Sequence, residues 1–351
     1  MEHGGDLLSY EDDYSGQLVD FSSNINPLGP PRGLDQMLIS SLSSLEMYPD
    51  IQYRKLKESL SIYLKCKKEN VLVGNGAVEI IDHFIISSKR VILFIPSFSE
   101  YEKRAFVHEK IVERISYRKD FTIDIESIEK IIKPKDLLIL GNPNNPTGLR
   151  IKKDQLIRIY KLIQKKDAYL LLDEAFFEFC PEDYDSIRLF EPYGYQNVGI
   201  IRAATKFFAL PGIRLGYGCA SEEKVKELAQ IELPWRVNAL GDVAGQFIFK
   251  DKDYIKQSKK YIEIEREYVL GALSKIRGVQ PFQTDTNYIL IQVLLWDEEY
   301  IFQWFLKRGL LIRKCSSFLG LPEGYIRVAI KDRKNNKKLI EAFLELSEKG
   351  S

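Results

Sequence analysis

Short apolar runs that alternate with helical stretches constrain the fold of this chain more than any other feature of its sequence. Each run is bounded by turn residues, as buried strands are. The runs cover residues 91–96, 137–143, 169–175, 198–203 and 215–220. Most are separated by stretches of helical spacing, such as 153–166, where Leu156, Ile159, Tyr160 and Ile163 recur at i, i+3, i+4 and i+7. This alternation predicts an α/β fold with a mainly parallel sheet that helices cover on both faces.

A second group of apolar runs follows a long charged helical stretch near residues 251–276. The group comprises residues 287–293, 310–315 and 325–330. Its position after the first group indicates a smaller C-terminal domain. A chain of 351 residues, 45% of them hydrophobic, is long enough for two domains or for one large domain with an appendage.

The charge balance excludes two classes of partner. Lys and Arg number 51 against 50 Asp and Glu, and the net charge of +1 gives no sign of nucleic-acid or acidic-membrane binding. The N-terminus lacks a basic segment followed by an apolar one, and no apolar run reaches the roughly 18 residues that span a bilayer. We therefore expect a cytoplasmic protein.

Cysteine and histidine spacing argues against a metal site. The four cysteines lie far apart without a C-x-x-C pair, and the chain has only three histidines. A zinc site needs several such ligands at short spacing. We expect no metal, and we expect His83 and His108 to be structural.

Polar residues follow three of the predicted strands. N-P-N-N-P-T-G (142–148) comes after the second run, Asp173 ends the third, and Thr205 and Lys206 follow the fourth. In parallel sheets, ligands bind outside the carboxyl ends of the strands, so these residues offer an amide, a carboxylate and an amine to one crevice. Upstream, G-N-G-A-V-E-I-I (74–81) places a glycine turn before a helix, as an anion site requires. The implied ligand carries a phosphate.

These motifs together carry a resemblance to a known family. G-N-G, N-P-N-N-P-T-G, D-E-A-F, T-K and P-G-I-R-L-G-Y occur in this order and spacing. The series resembles the fold-type I pyridoxal 5'-phosphate (PLP) enzymes of the aminotransferase class I/II superfamily, over nearly the whole chain. The resemblance implies a large PLP-binding domain at 41–250, a small α+β domain at 251–351, and an N-terminal arm at 1–40 that contributes to the small domain and the active site.

The resemblance also assigns roles around the cofactor ring. Lys206 matches the catalytic lysine that bonds to the cofactor aldehyde, for which it must be neutral in a partly desolvated pocket. Asp173 matches the carboxylate that holds the pyridine nitrogen protonated. Asn145 matches the asparagine that bonds the ring 3'-oxygen, and Phe98 matches the aromatic residue that stacks on the ring.

The cofactor phosphate has its own matching residues. Gly76, Ala77, Thr205 and Arg214 fall on phosphate-binding positions, with Arg214 forming a charge-assisted pair. Tyr48 matches a tyrosine that reaches the phosphate of the neighbouring subunit. A homodimer with shared active sites is therefore implied.

Two positions depart from the family pattern. Position 176 is Phe, where many relatives have a tyrosine that donates to the 3'-oxygen, and position 203 is Ala, where a phosphate-binding serine or threonine often stands. Neither change removes the lysine, the aspartate or the arginine. We expect cofactor binding to survive with fewer hydroxyls around the phosphate.

The terminal motifs narrow the reaction. H-G-G (3–5), F-S-S-N-I-N-P-L-G-P-P (21–31), L-I-R-K-C-S-S-F-L-G-L (311–321) and Y-I-R-V-A-I-K-D-R-K-N-N (325–336) resemble the L-threonine-O-3-phosphate decarboxylases of cobalamin biosynthesis. Histidinol-phosphate aminotransferases are the near relatives. Residues that fall on substrate-binding positions are His3, Asn24, Asn145, Arg313 and Arg327. Two arginines and a histidine suit a substrate with both a carboxylate and a phosphate.

Decarboxylation and amino transfer both remain open from the sequence. The two reactions differ in which Cα bond lies perpendicular to the cofactor ring, and a sequence shows no torsion angle. We expect the decarboxylase, with the aminotransferase as the alternative. A PLP-binding transcription regulator would need an additional basic domain before the G-N-G turn, and the sequence favours an enzyme.

Structural alternatives exist for several of these residues. Lys206 could be a surface lysine, and Asp173 with Glu174 could cap a helix. Phe98 could be an ordinary core residue and Tyr48 an exposed rim residue. Arg313 and Arg327 could be surface charges on a strand edge.

Overall fold

The computed structural model describes residues 4–349. The strands are β1 (Val19–Asp20), β2 (Val71–Gly74), β3 (Arg90–Ile95), β4 (Ile111–Ser116), β5 (Asp136–Gly141), β6 (Tyr169–Asp173), β7 (Val198–Ala203), β8 (Gly216–Cys219), β9 (Val279–Pro281), β10 (Tyr288–Val293), β11 (Leu310–Leu311), β12 (Arg313–Lys314) and β13 (Tyr325–Ala329). The α-helices are α1 (Leu34–Ser40), α2 (Arg54–Leu64), α3 (Ala77–Ile86), α4 (Glu100–Val107), α5 (Ile125–Ile131), α6 (Lys153–Lys165), α7 (Ser186–Phe190), α8 (Ala204–Phe207), α9 (Glu222–Leu228), α10 (Ala239–Ile248), α11 (Lys252–Leu273), α12 (Glu298–Leu306) and α13 (Arg333–Lys349).

The largest sheet has seven strands in the order β2-β8-β7-β6-β5-β3-β4. Neighbouring strands from β7 to β4 run parallel, and β8 runs antiparallel to both β7 and β2. The predicted α/β class with a mainly parallel sheet is confirmed. Since β5, β6 and β7 are adjacent, their carboxyl ends lie side by side.

Helices cover both faces of this sheet, which explains why its central strands are continuously apolar. Leu137 of β5 packs in the same core as Ile81 of α3. The next residue, Leu138, packs in the opposite core with Leu156 of α6. Each fully buried side chain of this kind stabilises the fold by about 1.5–3 kcal/mol.

The C-terminal strands form a separate four-stranded antiparallel sheet in the order β12-β13-β10-β9. The apolar run 310–315, predicted as one strand, is divided between two sheets. Its first part, β11, pairs in parallel with β1, and its second part, β12, pairs with β13. The β1–β11 pair joins the N-terminal segment to the C-terminal third of the chain.

Four strands were not predicted from the apolar runs. These are β1, β2, β4 and β9, and β4 illustrates the reason: it lies at the sheet edge, and only Ile115 of its six residues is buried. An edge strand needs no apolar run, so the signal is absent.

The predicted domain boundaries remain predictions. Across residues 4–349, no helix is long and apolar enough to cross a membrane.

Candidate active site

A cavity of about 380 Å³ opens at the carboxyl ends of β5, β6 and β7. Residues of the N-terminal segment and of the C-terminal antiparallel sheet complete its wall. The predicted site residues that line it are Asn24, Phe98, Asn145, Asp173, Lys206, Arg214, Arg313 and Arg327. The structure therefore brings together side chains from positions 24 to 327, as the strand-end reasoning requires.

Asp173 ends β6 as a buried carboxylate with two donors. Tyr101 donates its hydroxyl to Oδ2 at 2.7 Å, and the Ala175 N–H donates to Oδ1 at 3.0 Å. Burial raises the pKa of Asp173 above its ordinary value, and these two hydrogen bonds oppose the rise because they stabilise the charged form. The carboxylate is thus fixed in orientation at the cavity wall.

Tyr101 is a site residue that the sequence reasoning missed. It lies three positions after Phe98, and the two rings meet edge to face with centroids 5.5 Å apart. The motif P-S-F-S-E-Y contained a usable signal, since residues i and i+3 at a helix start share a face. The partner of this tyrosine, Asp173, could not be identified from the sequence, because the two residues meet only in the folded structure.

Lys206 lies in the short helix α8, directly after β7. The N–H of Asn26 donates to the Lys206 carbonyl at 3.0 Å, which ties the lysine backbone to the N-terminal segment. Burial, together with the positive charges of Arg327 and Arg214, lowers the pKa of Lys206 from 10.5 to about 8. The side chain meets the cavity with a much larger neutral fraction than a surface lysine has.

Glycines bring the start of α3 against β8 and Arg214. A Cβ on Gly216 would lie 2.3 Å from the Gly76 carbonyl carbon and 2.5 Å from the Ala77 nitrogen. A Cβ on Gly76, whose φ is +82°, would lie 2.5 Å from Nη2 of Arg214. No side chain caps the N-terminus of α3. The helix N–H groups and the guanidinium therefore form a cationic concave surface suited to a phosphate.

Arg236 also contacts the segment around the turn that precedes α3. Arg236 donates from Nη2 to the Val73 carbonyl at 2.8 Å, and its Nε lies 3.4 Å from the Glu79 carboxylate. Glu79 in turn accepts the Asn75 N–H at 2.7 Å. The sequence reasoning did not include Arg236 or Glu79.

Asn145 and Arg327 contact each other across the cavity. Nη1 of Arg327 donates to Oδ1 of Asn145, and Nη2 donates to the Ser22 carbonyl at 2.8 Å. Nε of Arg327 is buried without a hydrogen-bond partner within residues 4–349. Because the side-chain Oδ1 of Asn145 already accepts from Arg327, the Nδ2 group of Asn145 is the part of the side chain available to a ligand.

Two buried arginines stand opposite each other in the C-terminal sheet. Arg313 of β12 pairs in register with Arg327 of β13, and the residues are only 3% and 5% exposed. Arg313 also donates to the Ser317 hydroxyl at 2.7 Å. Like charges directly opposite on neighbouring strands are destabilising, more so when buried. The alternative that they are surface charges on a strand edge is wrong.

Asn24 lines the same cavity as these arginines and is 2% exposed. Its backbone carbonyl accepts from Nδ2 of Asn287 at 3.0 Å. Its side-chain Oδ1 is buried and has no hydrogen-bond partner within residues 4–349. A buried acceptor without a donor at a cavity wall is a feature that a ligand can satisfy.

Other predicted residues lie outside this group. Gly76 and Ala77 do not line the cavity themselves: Gly76 lies close to Arg214, and both residues lie close to Gly216 of β8. Thr205 is half-buried and does not line the cavity either. Tyr48 is 79% exposed and stacks on Trp235, with ring centroids 4.5 Å apart. His3 lies outside the described residues.

The two residues that depart from the family pattern, Phe176 and Ala203, both pack against other parts of the protein. Phe176 lines the cavity and packs edge to face on Tyr288, with centroids 5.0 Å apart. Ala203 is 3% exposed and pairs with Gly216 across β7 and β8. Both positions are apolar and filled by packing.

Glu174 is not part of a helix cap. Its Oε2 accepts from Nε and Nη2 of Arg202 at 3.1 and 2.9 Å, and both side chains are buried. Burial raises the pKa of Glu174, and the Arg202 charge opposes the rise. The pair joins the ends of β6 and β7. Glu174 directly follows Asp173, and Arg202 lies four residues before Lys206.

Comparison with known proteins assigns the architecture. The model of the family "Aminotransferase class I and II" matches residues 16–343. A candidate threonine-phosphate decarboxylase from Caldanaerobacter subterraneus subsp. tengcongensis is 38% identical, over 99% of this chain and 95% of its own. A threonine-phosphate decarboxylase from Salmonella typhimurium is 31% identical, over 93% of this chain and 90% of its own. The crystal structure of a histidinol-phosphate aminotransferase from Clostridium acetobutylicum has a TM-score of 0.90 at 35% identity, over 95% of this chain and all of its own.

Proposed function

This chain belongs to the aminotransferase class I and II family of PLP-dependent enzymes, and we propose that it decarboxylates L-threonine-O-3-phosphate to (R)-1-aminopropan-2-yl phosphate. The pathway that this product serves in the resembling enzymes is cobalamin biosynthesis. Similarity to threonine-phosphate decarboxylases over almost the full chain supports the proposal. The observation that carries it is the pair of buried arginines, Arg313 and Arg327, beside a second cationic surface at Arg214.

The residues present fit PLP. Arg214 and the N–H groups at the start of α3 would hold its phosphate, in a surface that a Cβ at Gly216 or Gly76 would fill. Arg214 forms no ion pair within residues 4–349, so its charge is available to an anion. Asp173 would pair with the ring nitrogen, Phe98 would stack on the ring, and Asn145 would donate to the 3'-oxygen. Lys206 would bind the aldehyde carbon.

When bound, PLP supplies an electron sink for charge that develops at the substrate Cα. The chain contributes the protonation states. A pKa of about 8 leaves roughly 10% of Lys206 neutral at pH 7, against ~0.03% for a pKa of 10.5. The nucleophilic form is therefore present at neutral pH without an additional base beside Lys206.

The arginine pair matches the charge of the proposed substrate. Arg214 would bind the cofactor phosphate, and Arg313 and Arg327 line the same cavity, where we assign them to two further anionic groups. Phosphothreonine carries a carboxylate and a second phosphate, and a guanidinium can bind either in a bidentate manner. Burying cationic groups costs free energy, and an anionic substrate that pairs with them would offset part of that cost.

The orientation in which the two arginines hold the substrate would decide which of its Cα bonds breaks. A decarboxylase must hold the carboxylate, rather than the Cα proton, perpendicular to the ring plane, because only that bond aligns with the electron sink. An arginine on the carboxylate and another on the phosphate fix the substrate at both ends. The carboxylate then leaves as CO₂, and a proton replaces it at Cα.

Histidinol-phosphate aminotransferase is the second candidate function. The similarity in structure to the Clostridium acetobutylicum enzyme, at 35% identity, favours it. Its substrate also carries a phosphate that one of the two arginines could bind. A transaminase differs in requiring Lys206 to move the Cα proton and in requiring a keto acid as amino acceptor.

The decisive experiment compares products with each substrate. Purified holoenzyme is given L-threonine-O-3-phosphate alone, and in parallel histidinol phosphate with 2-oxoglutarate. We expect CO₂ from phosphothreonine without an added keto acid. Efficient amino transfer from histidinol phosphate, with no CO₂ from phosphothreonine, would replace the proposal with the aminotransferase.

Arg313 provides the matched test of substrate recognition. Phosphothreonine should bind far better than threonine, since threonine lacks the phosphate that would form a charge-assisted hydrogen bond with a buried guanidinium, a loss of at least about 2 kcal/mol. Arg313→Ala should remove most of that preference. Lys314→Ala is the control, because its neighbouring charge pairs outward with Glu299 at 2.6 Å. An unchanged preference in Arg313→Ala would contradict the assignment.

A homodimer with shared sites is part of the proposal. Tyr48 and Trp235 stack on each other at the surface, 79% and 41% exposed, and exposed apolar residues surround them in the sequence. These are Leu42, Leu45, Met47, Ile51 and Leu233. An exposed apolar group of this kind marks an interaction surface. Tyr48 would reach the cofactor phosphate of the partner subunit.

A further inference from the structure

We propose that Asp20 is a positioning residue that fastens residues 4–5 over the substrate cavity through the hydroxyl of Ser22. Nothing in the reaction chemistry uses Asp20, and the sequence reasoning passed over it. The carboxylate nevertheless lies at the centre of the turn that carries Ser22, Ser23 and Asn24, all of which line the cavity.

Asp20 accepts hydrogen bonds from two successive residues. Oδ1 accepts the Ser22 N–H at 2.8 Å, the Ser22 hydroxyl at 2.6 Å and the Ser23 N–H at 3.1 Å. Oδ2 accepts the Ser23 hydroxyl. One carboxylate therefore fixes the backbone and both side chains of this turn, as an aspartate at the start of a turn does.

The Ser22 hydroxyl extends this arrangement to the N-terminal segment. Its proton is donated to Asp20, so its lone pairs face outward, and it accepts the Gly5 N–H at 2.8 Å. The result is a relay from Gly5 through Ser22 to Asp20. Hydrogen bonds that end on a charged group are the stronger ones, and each bond in such a chain polarises the next.

Gly4 shows that the contact is close. A Cβ at Gly4 would lie 2.2 Å from the Ser22 carbonyl oxygen, so no larger residue fits in this conformation. Gly4 also lines the cavity. Residues 4–5 therefore form part of the cavity wall, and the Asp20 relay holds them there.

The opposite side of the turn is held by the C-terminal sheet. Ala329 donates its N–H to the Phe21 carbonyl at 2.8 Å, Arg327 donates to the Ser22 carbonyl at 2.8 Å, and Lys331 donates to the Ser23 carbonyl at 3.3 Å. The turn thus connects the N-terminal segment to the arginine that we assign to the substrate. Loss of the relay should loosen the cavity wall where the substrate anions bind.

The charge of Asp20 has a second effect: it raises the pKa values of Lys206, Arg327 and Lys331, against the effect of burial. Three variants separate this effect from the hydrogen-bond relay. Ser22→Ala keeps the charge and breaks the relay. Asp20→Asn removes the charge and keeps an Oδ1 acceptor for Ser22. Gly4→Ala leaves both groups intact and displaces the segment by its Cβ.

Hydrogen exchange of the holoenzyme tests the relay without any substrate. In a peptide that covers residues 4–8, exchange should become faster by about three- to ten-fold in Ser22→Ala, the effect of one lost hydrogen bond. Asp20→Asn should accelerate exchange no more than Ser22→Ala does, since Oδ1 still accepts from Ser22 although the charge is lost. Unchanged exchange in Ser22→Ala would overturn the proposal, as would faster exchange in Asp20→Asn than in Ser22→Ala, which would assign the effect to the charge of Asp20.

Kinetics with phosphothreonine test the consequence, and this arm rests on the proposed function. Ser22→Ala and Gly4→Ala should each raise KM by about five-fold or more, with kcat within about two-fold and PLP content unchanged. The double variant should be no worse than the worse single variant, because both act on one segment. Additive effects would overturn the shared role. If phosphothreonine is not a substrate at all, the proposed function fails while the exchange result still decides the relay.

Discussion

Replacing Tyr101 with phenylalanine tests how Asp173 is kept ionised. The Tyr101 hydroxyl donates to Oδ2 of Asp173 at 2.7 Å and makes no other hydrogen bond within residues 4–349. The change removes one oxygen atom and leaves the ring that packs on Phe98. Burial already raises the pKa of Asp173, and the hydrogen bond from Tyr101 opposes the rise more strongly than the one from the Ala175 N–H. Tyr101→Phe should therefore raise the pKa of Asp173 further.

The size of the shift follows from the strength of one hydrogen bond to a charged group. Such a bond contributes about 1.5–3 kcal/mol, and one pKa unit corresponds to about 1.4 kcal/mol. Loss of this bond should therefore raise the pKa of Asp173. The sign is fixed because the hydroxyl stabilises the carboxylate and not the carboxylic acid. Activity that needs the carboxylate should then be lost at a higher pH as the pH falls.

The assay is the pH dependence of kcat for the reaction that the enzyme performs, measured from pH 5 to 9 in the holoenzyme. The acid limb of Tyr101→Phe should move up by roughly 1–2 pH units, with kcat near its original value on the plateau. Tyr117→Phe is the matched control, since it removes a neighbouring hydroxyl with no bond to Asp173. An acid limb that stays in place in Tyr101→Phe would refute the reasoning.

Four further predictions concern the cofactor and the sharing of the active site between subunits. The rate at which apoprotein captures PLP should rise about ten-fold per pH unit below pH 8 and level off above it, since the pKa of Lys206 is lowered to about 8; stopped-flow absorbance measures this, and a flat profile contradicts it. Borohydride treatment followed by peptide mapping should find the pyridoxyl label on Lys206, and a label elsewhere contradicts the assignment. Gly216→Ala should weaken PLP affinity at least about ten-fold in equilibrium dialysis, because its Cβ would meet Gly76 at 2.3 Å; unchanged affinity contradicts the phosphate-site geometry. Mixed Tyr48→Phe and Lys206→Ala subunits should recover about a quarter of full activity through one intact site per heterodimer, and no recovery contradicts shared sites.

Much of the fold and the cavity could be predicted because the chain repeats one pattern. Continuous apolar runs marked β5, β6 and β7, and the residues after each run had to lie at one edge of the sheet. Asp173, Lys206 and the segment 142–148 were found in this way, and the family resemblance singled out Asn145 within that segment. All three residues line the cavity. Here the local sequence decides the position, since each residue is placed by the strand that it follows.

Other site residues depend on register, which no local pattern determines. Arg313 and Arg327 face each other because β12 pairs with β13, although the apolar run 310–315 predicted one uninterrupted strand. Tyr101 acquires its role only from the position of Asp173, 72 residues away in the sequence. Asp20 acts through hydrogen bonds to its neighbours, and a single aspartate before a serine pair is too common a pattern to identify a site.

The distribution of charge separates stability from function in this chain. Arg202 is buried, yet Glu174 and Asp185 neutralise it, so it can join the strand ends without a ligand. Arg327 is equally buried, but its hydrogen bonds go to an amide and a carbonyl oxygen, and its Nε has no partner within the described part of the chain. Burial lowers the pKa of Arg327, which is the expected result for a cation without a carboxylate beside it. A buried charge that the fold does not neutralise is a cost that persists only where a ligand supplies the opposite charge. The contrast between these two arginines is the physical basis for our proposal that Arg202 serves the fold and Arg327 binds the substrate.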